Sequence, residues 1–113
     1  MLETDDKTFI RFKIGLALKN ILEENKDKKR DNPKLEFIVS YGKLEINTFF
    51  RKATLISIFN GQSSPDISTL LTILSALGTT FSDFAKSYDA LTTSEVKEYK
   101  KVIEKKRNAR LKK

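Results

Sequence analysis

Ile67, Leu70, Leu71, Leu74 and Leu77 recur at steps of three and four residues and stop at Gly78. That spacing closes into one stripe only on a helix of 3.6 residues per turn, and so apolar a stripe has to be covered by other elements. The remaining sequence offers mostly helices to cover it. Ile10, Ile14, Ala17, Leu18, Ile21 and Leu22 share a helical face, so residues 9 to about 24 read as a first helix. Ser40 is placed to cap a short second helix reaching about Thr48. Residues 51–59 read as a third, with Leu55, Ile58 and Phe59 on its inner side. Ser64-Pro65 reads as an N-cap followed by proline at the first helical position, where a missing N–H costs nothing. The striped fourth helix follows, and Gly78 is a suitable left-handed terminator for it. Thr80 with Asp83, and Thr92 with Glu95, carry the spacing of a capping box, which predicts a fifth helix through Phe84 to Tyr88 and a sixth in the tail.

Two stretches are less regular. "NKDKKRDNP" (25–33) is a loop by composition, closed by Asn32-Pro33. "KLEFIV" (34–39) alternates as a strand would, yet six residues leave a helical extension open. In the tail, Val96, Tyr99 and Ile103 make an apolar stripe that ends there. "EKKRNARLKK" is polar all round, so a helix to about 103 followed by a frayed basic end is expected. The expected fold class is all-α: five short helices over residues 1–90 and a basic helical arm over 91–113.

Composition narrows the function. A chain of 113 residues is long enough for one domain with a modest core. It has no histidine and no cysteine, which removes the commonest general base, the commonest metal ligand and any thiolate site. Without a Gly-rich phosphate loop or paired carboxylates either, neither an enzyme nor a metal or other cofactor is expected. The lack of cysteine fits a cytoplasmic protein. "MLETDDK" is acidic and has no apolar h-region, so no secretory signal is expected, and no apolar run reaches the length of a membrane span. The net charge is +7, but residues 1–94 hold 13 Lys+Arg against 12 Asp+Glu, and residues 95–113 hold 9 against 3. The excess sits in the tail, so the body has to attract nucleic acid by the placement of its cations.

That placement is found in "TFFRKATLISIFNGQSSPDISTLL" (48–71), where Arg51 and Lys52 open a helix otherwise built to be buried. Two short helices joined by a tight turn and followed by a strong one suggest a helix-turn-helix. Over these residues the sequence resembles the phage Cro/repressor-like (Xre-type) helix-turn-helix family. The matching positions are Ser40 and Leu44, then Thr54, Leu55, Ile58 and Gly61, then Pro65, Leu70, Ile73, Ala76, Leu77 and Gly78. They run without a gap from 40 to 84, and Ile14, Gly15, Leu18 and Lys19 match in the first helix. The resemblance covers roughly residues 10–88 and excludes the tail. It departs from the family at Phe49, where the turn usually has glycine, and at Glu45, where a small residue is usual. About a dozen extra residues also form an insertion at about 26–39, and Gly42 weakens the second helix.

The resemblance implies a compact five-helix domain, extended here by the basic C-terminal helix, whose third helix enters the major groove N-terminus first. It places Arg51, Lys52, Ala53, Thr54 and Ser57 toward base edges. Ser40, Tyr41, Asn60, Gln62 and Ser63 fall where the DNA backbone would pass. The implied partner is double-stranded DNA, bound as a homodimer on a two-fold-related operator, in a transcriptional regulator. Blander roles stand beside these: a solvated face for Arg51 and Lys52, a local helix-start bond for Thr54, a core ring for Tyr41. The basic arm can be a DNA-backbone arm, a dimerising helix or a solvated end. Two rival functions remain: the antitoxin of a toxin–antitoxin pair, whose arm binds a protein partner, or a protein-interaction module that has lost DNA and uses Phe49-Phe50 as an apolar anchor.

Overall fold

Helix α1 (Lys7–Asp31) runs seven residues beyond its expected end. Glu23 pairs with Lys26 (3.4 Å) and Asp27 with Arg30 (3.1 Å), each three residues apart on the exposed face. Lys28, Lys29 and Arg30 also sit in the last turn, where positive charge complements the helix dipole. The helix stops at Asn32-Pro33, because proline disfavours helical geometry in the residue before it. Residues 26–31 of the expected insertion loop are therefore helix. Residues 32–39 are irregular, and "KLEFIV" forms neither a strand nor a helical extension. The computed structural model describes residues 7–111. Residues 1–6, which carry the acidic start considered for a secretory signal, and residues 112–113 of the basic tail lie outside the described residues.

Among the described residues there are six helices and no strand, so the chain is all-helical. Ser40 caps α2 (Tyr41–Thr48) by accepting the Lys43 N–H at 3.2 Å. Helix α3 (Lys52–Phe59) begins one residue later than expected, with Arg51 extended as its N-cap. The cap of α4 (Ile67–Ala76) is Asp66 and not Ser64. Its carboxylate accepts the Thr69 N–H at 2.7 Å, a bond that holds this carboxyl below its ordinary range, and Pro65 lies ahead of the cap. Gly78 takes φ 77° just past α4. Thr80 caps α5 (Phe81–Ala90) through the Asp83 N–H. At α6 (Thr93–Leu111), Thr92 and Glu95 bond each other's backbone N–H at 3.1 and 2.9 Å. The expected fraying after 103 is not observed. Lys, Arg, Glu and Ala are strong helix formers, and α6 continues on their propensity to Leu111.

The core lies between α1, α3 and α4, where Leu18, Leu55, Ile73 and Phe59 are closed to solvent, together with Leu44 of α2. Its closest approach is at Gly15, where any Cβ would strike the carbonyl oxygen of Phe59, so α1 and α3 meet backbone to backbone. Asn25, expected at the start of a loop, is buried inside α1. Its amide donates to the carbonyls of Ile38 (3.0 Å) and Leu77 (2.9 Å), which ties the irregular crossing and the end of α4 to α1. A second cluster joins α6 to α1 through Phe12, Val96 and Ile103, and the Tyr99 hydroxyl donates to the Phe59 carbonyl at 2.6 Å.

The α4 stripe is only partly covered. Leu70, Ile73, Leu74 and Leu77 are buried, but Ile67 and Leu71, four residues apart along one edge of the stripe, are 62% and 43% exposed. The apolar arc is wider than the surface α1, α2 and α5 present to it. Ile10 likewise sits at the exposed rim of α1, and Phe81 is half exposed while Phe84 is buried. Among the described residues no single helix is long and apolar enough to cross a membrane.

Two stability predictions rest on this packing. Leu74→Ala should cost about 2–5 kcal/mol in urea melts, as a buried leucine leaves a cavity, whereas Leu71→Ala should cost under about 1 kcal/mol. Tyr99→Phe should cost about 0.5–1.5 kcal/mol by removing one internal hydrogen bond. Burial, and then the neighbouring Tyr41, raise the Tyr99 phenol well above its ordinary value. The stability tied to that raised value is present below about pH 10 and is lost as pH rises through the folded value. Melts between neutral and alkaline pH should thus fall less steeply for Tyr99→Phe.

Candidate nucleic-acid interface

Phe49 ends α2 in the left-handed region, at φ 63°, and its N–H closes the helix on the Glu45 carbonyl at 2.9 Å. This is the conformation that glycine adopts freely and a bulky residue resists. The turn occupies residues 49–51 and leads from α2 into α3. Phe50 then packs inward, its N–H donating to the Thr48 hydroxyl at 3.2 Å, while the Phe49 ring stands 91% exposed. Glu45 explains itself here. Arg51 provides no side-chain cap, and the Glu45 carboxylate accepts the Lys52 N–H at 3.2 Å, so α2 caps α3 from seven residues away.

Arg51, Lys52, Ala53 and Thr54 are all exposed at the start of α3, and Leu55, Ile58 and Phe59 are buried beneath them. Helix α3 spans eight residues, which at 1.5 Å per residue is about 12 Å. The other candidates gather at its far end. Ser57 is half-buried with its hydroxyl 3.0 Å from that of Ser63. Asn60 caps the helix C-terminus, and its carbonyl accepts from the Gln62 amide at 3.1 Å. The Gln62 side-chain oxygen accepts from Arg107 at 2.8 Å. Ser57, expected among the base-reading residues, lies late in α3 and is bonded to Ser63 of the exit loop.

Ser40 and Tyr41 lie at the start of α2, and Tyr41 borders the same groove as Asn60. The Ser40 hydroxyl is engaged with Lys43. The Tyr41 ring is half-buried edge-on to Phe59, with centroids 5.1 Å apart, and burial, followed by Glu23, raises its phenol. Of its two readings, the packed ring describes its position. Glu45, Lys19 and the Lys106–Arg107 pair also lie near α3. The sequence marks Glu45 and Lys19 only as a departure from and a match to the family, and the pair only as part of the basic arm. For the last two the signal was present: they continue the three- and four-residue spacing of Val96, Tyr99 and Ile103.

Comparison with protein-family models, with curated proteins and with solved structures finds no match to this chain.

The exposed, left-handed Phe49 yields a sharp expectation. Phe49→Gly should stabilise the fold by about 0.5–1 kcal/mol in denaturant melts, the left-handed cost to a side chain exceeding the entropy glycine adds to the unfolded chain. A loss of stability would mean that the ring holds the turn by packing.

Proposed function

We propose that this chain is a sequence-specific DNA-binding transcriptional regulator of the Cro/repressor-like helix-turn-helix kind. In this reading α3 lies in the major groove with its N-terminus toward the base edges. The observation that carries it is the division of α3. Four consecutive residues at its start, two of them cationic and two small, are exposed, while its remaining turns anchor in the core. An arginine so placed reaches guanine O6 and N7 with two hydrogen bonds, and Ala53 and Thr54 permit close approach and contact a thymine methyl. The body carries a surplus of +1, with 13 Lys+Arg against 12 Asp+Glu over residues 1–94, so bulk attraction contributes little there. One such helix covers few base pairs, so the protein acts as a homodimer on a two-fold-related site.

A specific observation supports a second reading, that of a protein-interaction module without DNA. Phe49 is 91% exposed and Ile46 on the same helix 68%, an apolar pair of the kind that anchors a protein partner. Selection of bound sites from random duplexes separates the two. Given a preferred site, Arg51→Ala or Lys52→Ala should lose about 1–3 kcal/mol and relax discrimination at one base position per half-site, with thermal stability unchanged. Variants that bind and discriminate like the wild type would remove α3 as the reading element, and failure to select any duplex would favour the interaction module.

A further inference from the structure

Past Ile103 the face of α6 that packs on α1 turns from apolar to cationic. Val96, Tyr99 and Ile103 form its inward row, and the next members of that row are Lys106 and Arg107. A merely solvated helix end would scatter charge on its outer side; here two cations occupy the inner side, over a groove instead of the packed core. The Arg107 guanidinium is held there by its 2.8 Å bond to Gln62 in the α3 exit loop. Together with Lys19 of α1 these cations line an open groove of about 420 Å³, whose α3 wall is Ile56 and Asn60. Among the described residues no carboxylate lines this groove, whereas Glu104 lies among the lysines of the groove on the other side of α6. Ile56 and Asn60 continue, four residues at a time, the row of α3 that begins with exposed Lys52.

A helix in a major groove about 12 Å wide has a phosphate strand on either side, so an element lying alongside it meets one of them. We propose that the end of α6 is a backbone clamp: Lys106 and Arg107, with Lys19, hold phosphates of one strand of the duplex whose base edges face α3. The clamp rests on the DNA-binding reading above and extends it to an element outside the family resemblance. It supplies affinity without sequence choice, since phosphates are the same at every step.

The test compares two pairs of substitutions that remove equal charge. Lys106→Gln with Arg107→Gln empties the inward row; Lys101→Gln with Lys105→Gln empties the outer face, where these two lysines flank Glu104 and Asn108. Binding of each to a selected duplex and to random duplex is measured across a potassium chloride series, with thermal melts as the folding control. The inward pair should flatten the plot of log affinity against log salt by about 0.9 for each phosphate that is no longer neutralised, so about 1–2 in all, equally on both duplexes. Lys106→Arg with Arg107→Lys should restore the slope. The outer pair should change it by less than half as much. Equal effects from the two pairs, or an unchanged slope in the inward pair while Arg51→Ala still weakens binding, would overturn the clamp and leave the reading of α3 intact. A wild-type protein that binds neither duplex at low salt would overturn the DNA reading itself, and the clamp with it.

Discussion

The C-terminal end of α3 is fixed through Phe59. Its ring is sealed in the core against the edge of Tyr41 from α2, and its carbonyl oxygen lies against Gly15 of α1 while accepting the hydroxyl of Tyr99 from α6. Three helices are thus referred to the last turn of a fourth within one residue. The contact with Gly15 tolerates no side chain, so its α1–α3 distance is set by backbone thickness and not by side-chain size. Tyr99 then joins the C-terminal helix to the same oxygen, and α6 keeps its position relative to α3.

The other end of α3 is fixed differently. Arg51 is exposed, and its side chain gives no cap. The helix start is held by a left-handed Phe49 and by Glu45 reaching across from α2. A glycine in the turn and a small residue at 45 would let the two helices close directly. This chain uses a carboxylate to bridge them and accepts a strained phenylalanine facing solvent. Strain of that sort persists where the surroundings over-determine it, and the Phe49 N–H bond to Glu45 and the Phe50 N–H bond to Thr48 on either side of the turn do so here.

The helices were legible in the sequence because their signals are local. Capping residues at Ser40, Thr80 and Thr92, the terminator Gly78 and apolar periodicity all act within a turn or two of themselves. What was not legible depends on distant partners. Asn25 reads as a loop residue until Ile38 and Leu77 bring carbonyls to its amide. Leu71 reads as core until the arc of α4 proves wider than its cover. Ser64 and Asp66 are both acceptable caps, and only the path of the chain into α4 chooses Asp66. Within the candidate interface, the register that puts Arg51 to Thr54 on an exposed helix start is legible, whereas the bond between Ser57 and Ser63 is not, because it depends on how the exit loop folds back.

The charge distribution invites the view that the tail is a disordered basic lure, and the register of α6 argues against it. A lure needs only charge, and any face of the helix would serve. In α6 the row that buries Val96 and Ile103 continues into Lys106 and Arg107, which places two cations over the groove shared with α3. Arg107 also commits a hydrogen bond to Gln62, and a side chain held in one place loses rotamer freedom that a lure would keep. Bulk charge falls off with the Debye length and cannot select one strand of a duplex, but cations fixed beside a helix can set its register on the backbone. The tail's charge and the neutrality of the body are then parts of one arrangement. Under the DNA-binding reading proposed above, α6 would hold the duplex without reading it, and Arg51 and Lys52 would decide among sequences with little competition from non-specific attraction by the body that presents them.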